Sequence, residues 1–88
     1  MKVSIIPGGR TIVRVLVSYD EKPPAIRATA SVTWPSGKLT QVGGDFNKVE
    51  WSPTYLATLR LNGPLEVGTY AVRARCGKDE EDQEFTIV

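Results

Sequence analysis

From Ile26 to Trp34 the chain alternates without a break. Ile26, Ala28, Ala30, Val32 and Trp34 occupy the even positions, and Arg27, Thr29, Ser31 and Thr33 the odd ones. Successive side chains of a strand point to opposite faces, whereas a helix would need apolar residues three and four apart. The pattern therefore predicts a strand with one buried and one solvated face. The same period returns in Tyr55, Ala57, Leu59 and Leu61 against Leu56, Thr58 and Arg60, and in Tyr70, Val72, Ala74 and Cys76 against Thr69, Ala71, Arg73 and Arg75. Phe85 and Ile87 against Glu84 and Thr86 mark a last strand. Between Arg10 and Tyr19, the polar Arg10, Arg14 and Ser18 place Thr11, Val13, Val15, Val17 and Tyr19 inside. Ile12 and Leu16 then fall on the outer face, where a loop or a partner is expected to cover them. Weaker strand signals run from Lys2 to Ile6, Lys38 to Val42 and Phe46 to Trp51.

Turn chemistry separates these runs: Pro7-Gly8-Gly9, Asp20 to Pro24, Pro35-Ser36-Gly37, Gly43-Gly44-Asp45, Ser52-Pro53, Asn62-Gly63-Pro64 and Gly77 to Asp82. About seven to eight short strands, spaced by turns and without a helical window, predict an all-β antiparallel sandwich spanning residues 1–88 as one domain. A chain of 88 residues with 41% hydrophobic and 24% charged residues is of globular composition. At this length roughly 60% of the unfolded surface is buried, so the core is one layer deep.

Composition restricts the chemistry. The chain has no histidine, which removes the commonest general base, neutral metal ligand and pH switch together. Its single cysteine, Cys76, allows neither an internal disulfide nor a thiolate zinc site, and has no imidazole to activate it as a nucleophile. No spacing matches a P-loop, a serine-centred triad or paired carboxylates. An enzyme is not expected, and no cofactor is implied. A net charge of +1, without interleaved aromatic and basic residues, argues against nucleic acid. The short apolar start before Pro7 resembles neither a secretory signal nor a membrane span. The expectation is cytoplasmic synthesis as a virion-associated protein, or a domain cut from a surface protein.

Two local motifs go beyond generic β structure. Trp34-Pro35-Ser36-Gly37-Lys38 reads as a short hairpin, with Pro presetting one corner and Gly closing it. Leu65-Glu66-Val67-Gly68-Thr69-Tyr70 resembles the tyrosine corner of immunoglobulin-like and fibronectin type III-like domains, where a Tyr early in the penultimate strand returns its hydroxyl to the upstream backbone. On these motifs the chain is similar to the small immunoglobulin-like modules of bacterial surface proteins and phage structural proteins. The resemblance implies a Greek-key β-sandwich used in structural assembly or protein contact, with another protein or copies of itself as partner. One departure is plain: antibody-type domains bridge two strands with a disulfide, and Cys76 has no partner for one.

Candidate contact residues follow from exposure and chemistry. Arg27, Arg73 and Arg75 share the outer phase, either as a basic stripe for an acidic partner or in cross-strand pairs with Glu84. Trp51 is expected to share a strand face with Val49 and close the bottom of the core; the alternative is a surface Trp anchoring an interface or, with Tyr55, stacking on a sugar. Asp79-Glu80-Glu81-Asp82 reads as the solvated tip of the last hairpin, with a calcium site as the alternative. Asp20 to Pro24, Gly43 to Asn47 and Asn62 to Leu65 are the expected contact loops. Lys38 to Trp51 lacks strong alternation, as a mobile or partner-ordered segment would.

Overall fold

The alternating runs form seven antiparallel strands in a computed structural model that describes residues 1–88. They are β1 (Lys2–Gly8), β2 (Ile12–Tyr19), β3 (Arg27–Thr33), β4 (Leu39–Lys48), β5 (Tyr55–Asn62), β6 (Gly68–Cys76) and β7 (Asp79–Ile87). The chain is all-β. The strands follow the order β1-β2-β5-β4-β3-β6-β7 in one continuous sheet, curled into a flattened, nearly closed barrel of 38 × 25 × 15 Å. No backbone ladder joins the end strands β1 and β7; the Gln83 side-chain amide donates across the seam to the Val3 carbonyl at 2.8 Å.

Continuity depends on β4. Its first part pairs with β3, from Thr33↔Leu39 to Arg27↔Asp45, and its last three residues pair with β5, from Phe46↔Ala57 to Lys48↔Tyr55. At the crossing, a Cβ on Gly44 would lie 2.5 Å from the Thr58 carbonyl oxygen, so only glycine lets the two backbones approach. The Gly43-Gly44-Asp45 turn expected from composition is thus a corner inside a ten-residue strand. Lys38 to Trp51 is likewise not a loose segment. Its weak alternation reflects a strand that changes partners midway and carries Thr40 and Gly44 at inward positions, where apolar side chains would mark the phase.

All 18 buried residues are hydrophobic. β1, β2 and β5 supply Val3, Val13, Val15, Val17, Ala57, Leu59 and Leu61; β3, β6 and β7 supply Ala28, Ala30, Val32, Tyr70, Val72, Ala74, Cys76, Phe85 and Ile87. These are the inward phases that alternation predicts. Four positions depart from it, among them Tyr19, which is only half-buried. Ile26 precedes β3 and is 86% exposed, Thr11 belongs to the β1–β2 turn and is exposed, and Tyr55 is only half-buried. Alternation specifies a face only while the chain is extended, and Ile26 and Thr11 lie just outside their strands.

One end of the barrel is aromatic. Trp34 packs at 5.3 Å from Tyr70, which stacks at 4.6 Å on Phe85. The Trp34 indole donates to Thr40 Oγ1 at 2.9 Å, and the Lys38 ammonium lies 4.4 Å from its ring centroid. Gly37, at φ 91°, closes the Pro35-Ser36-Gly37 loop through Gly37 N–H to the Trp34 carbonyl at 2.9 Å. Tyr70 donates its hydroxyl to the Glu66 carbonyl at 2.8 Å, the return to the upstream backbone that the Leu65–Tyr70 motif implied. The Glu66 carboxylate in turn accepts from Ser36 N–H and Oγ–H, tying the β5–β6 connection to the β3–β4 hairpin.

Candidate functional site

The strand register gathers the other group of connections at the opposite end. Lys2 pairs with Ser18, Tyr19 with Tyr55, and Tyr55 with Lys48, while Cys76 pairs with Asp79. The β2–β3 loop, the β4–β5 turn and the β6–β7 turn therefore project together. The β6–β7 turn is the two-residue Gly77-Lys78, with Gly77 at the φ of 59° that such a hairpin needs at its first position.

Trp51 stands on the β4–β5 turn at 96% exposure. This corrects the expectation that Val49 and Trp51 close the core: β4 ends at Lys48, and the chain turns before a shared strand face can form. Val49 N–H donates to the Thr54 carbonyl at 2.8 Å, and Ser52 N–H to the Val49 carbonyl at 3.2 Å. The Lys48 ammonium holds the Ser52 carbonyl at 2.7 Å, the Ser52 hydroxyl accepts from Thr54 N–H at 3.2 Å, and Thr54 Oγ1–H reaches Asp20 Oδ1 at 3.4 Å. Trp51 thus occupies the third position of a hydrogen-bonded turn, at φ 61°. It is the one non-glycine residue in the left-handed region, where a turn favours Gly or Asn and a bulky side chain costs about 1–2 kcal/mol. Its ring stacks on no other aromatic residue.

Tyr55, at the start of β5, lines a groove of about 240 Å³ with Lys22, Pro23, Pro24, Ala25, Ile26 and Phe46. Tyr19 closes the inner side of this end, packed edge-on against Phe46 at 5.7 Å and donating to Asp79 Oδ2 at 2.7 Å. Burial, and then that bond to a carboxylate, hold its phenol well above the ordinary value. Cys76 is buried under the same loop, 3.9 Å from the Ala25 carbonyl.

The arginines are placed on the outer face, but not as a free basic stripe. Arg73 grips Asp82 with two bonds of 2.7 and 3.0 Å and lies 3.3 Å from Glu80. Arg75 pairs with Glu80 at 3.0 Å, and Arg27 with Asp45 at 3.0 Å. Register explains the partners: Arg73 faces Asp82, whereas Glu84 faces Ala71, so the expected pairing with Glu84 does not form. The Arg73 guanidinium holds the Asp82 carboxyl below its usual value, and the bond to Asp82 raises Arg73. Each arginine is matched locally, which weakens any attraction for an acidic partner.

Asp79 to Asp82 is likewise not a loop tip but the first part of β7. Alternate carboxylates point to opposite faces, Asp79 is taken by Tyr19, and Glu80 and Asp82 by arginines. No three acidic or thiol side chains converge on a point where a metal ion could sit. Of the three expected contact loops, Asp20 to Pro24 lies between strands, Asn62 to Leu65 begins on the last residue of β5 and leaves it at the opposite end, and Gly43 to Asn47 is inside β4. Sequence reasoning missed Ile26 and Phe46 as groove residues. The turn signal at Pro23-Pro24, just ahead of Ile26, was the clue that the strand begins later.

No protein-family model matches the chain, and no curated protein or solved structure matches it either. No helix is long and apolar enough to cross a membrane.

Proposed function

We propose that the chain is a non-enzymatic immunoglobulin-like module that presents one end to another protein, as an assembly or accessory component of a virion or cell-surface structure. The immunoglobulin-like reading is supported by the strand order, by the passage of β4 from β3 to β5, and by the Tyr70 hydroxyl on the Glu66 carbonyl. The observation that carries the contact reading is Trp51. A large aromatic side chain held in solvent, on a stiff turn whose backbone conformation it disfavours, has no use in the isolated fold; strain of this kind collects at functional positions. Trp is also enriched among the few residues that carry most of the binding energy near the centre of protein interfaces.

The non-enzymatic reading is supported by the lack of histidine, the commonest general base, and by the burial of Cys76, the one thiol. A second reading, a carbohydrate-binding module built on Trp51 and Tyr55, draws on the same exposed indole. It is the weaker one because Trp51 is the only strongly exposed aromatic residue, so no platform of rings stands beside it. The test is in-cell photo-crosslinking with a benzophenone side chain at position 51 and, as control, at Thr69 near the opposite end. A discrete protein adduct from position 51 alone is expected. No adduct, together with Trp emission that shifts on titration with polysaccharide, would favour the sugar reading instead.

A further inference from the structure

The end that displays Trp51 also carries a receptor of matching chemistry. The groove formed by Pro23, Pro24, Ile26, Phe46 and Tyr55 is apolar on its walls, and Ile26, 86% exposed, forms part of its rim. Its volume, about 240 Å³, is below the range of roughly 300–1,000 Å³ usual for small-molecule sites, and suits one large side chain. Charges flank the two features with opposite sign. Glu50 precedes Trp51 on the turn, and Lys22 lines the groove, both exposed and neither engaged in an ion pair. A ring entering a groove of this kind from outside therefore brings a carboxylate toward an ammonium. With a net charge of +1, two copies do not repel each other at long range.

We infer that the partner seated at this end is a second copy of the chain, with Trp51 of each copy in the groove of the other. The inference rests on the contact reading above and adds the identity of the occupant. Knob and socket on one surface form a self-complementary patch, which a two-fold axis uses twice. The area is small. A buried Trp contributes about 150–250 Å², so two of them with their rims fall short of the roughly 1,200 Å² of a stable interface. Association is therefore weak and reversible, with a Kd on the order of 0.1–1 mM. Such contacts act where copies are brought to high local concentration, as in a multimeric assembly.

The experiment is a dilution series of amide NMR spectra from about 1 mM to about 50 µM, with sedimentation over the same range. Residues 22–26, 46 and 48–55 are expected to shift together, with the outer face of β6 and β7 unmoved. Trp51→Ala should weaken association at least about tenfold. Lys22→Glu and Glu50→Lys should each weaken it, and the two together should restore it. All three positions are exposed, so the variants fold. A monomer at 1 mM with invariant spectra overturns the inference, as do shifts confined to another face or a charge swap without rescue. The photo-crosslink separates this failure from that of the contact reading. An adduct of twice the 9.7 kDa chain mass supports self-docking. An adduct with a different protein overturns self-docking and keeps the contact reading, and no adduct overturns both.

Discussion

At one end of the barrel Trp34 is 5% exposed, hydrogen-bonded through its indole, covered by Lys38 and packed on Tyr70. At the other end Trp51 is 96% exposed, touches no aromatic ring and sits at a backbone angle that costs energy. Both lie beside a turn between neighbouring strands, so their surroundings and not their residue type separate them. Trp34 continues the inward phase of β3 beyond Thr33 and meets the aromatic cluster. Trp51 comes after β4 has already crossed to its second partner, where no inward face remains. One end of this small fold packs its tryptophan into the core, and the other leaves its tryptophan in solvent.

Truncation of each tryptophan should separate the two ends. Trp34→Ala removes a core aromatic side chain and should cost about 3–5 kcal/mol, whereas Trp51→Ala should stay within about 0.5 kcal/mol of the parent or stabilise it slightly. In thermal melts of a domain this size, the first variant should fall by roughly 12 °C or more and the second should hardly move. Equal losses would mean that Trp51 is packed after all.

A smaller effect sharpens the same contrast. Tyr70→Phe removes only the hydroxyl that reaches Glu66, and the half-buried carbonyl left behind can still find water. The expected loss is about 1 kcal/mol, or roughly 4–8 °C in the melting midpoint. Denaturant unfolding at equal m-value checks it. A loss near zero would remove the corner from the account of the aromatic end.

The strands were legible because their residues alternate, and the alternation survives in Val13-Val15-Val17, in Ala28-Ala30-Val32 and in Tyr70-Val72-Ala74-Cys76, all buried as read. What the pattern could not supply were long-range partners. Gly43-Gly44 looks like a turn unless it is known that β4 crosses β5 at Thr58. Arg73 finds Asp82 and not Glu84 because a two-residue hairpin sets the register, and composition placed the turn across Gly77 to Asp82 instead of at Gly77-Lys78. The candidate site was partly visible. Trp51 and Tyr55 were singled out from their chemistry, yet the side chain's exposure depends on where β4 ends, and the groove on a loop whose path local sequence does not encode.

Iodide quenching of single-tryptophan variants reads the environments of the two tryptophans separately. Trp51→Phe leaves only Trp34, and its emission should be blue-shifted and insensitive to iodide. Trp34→Phe leaves only Trp51, and its emission should be red-shifted and fully quenchable at low protein concentration. Protection of Trp51 from iodide in the dilute monomer would contradict the account.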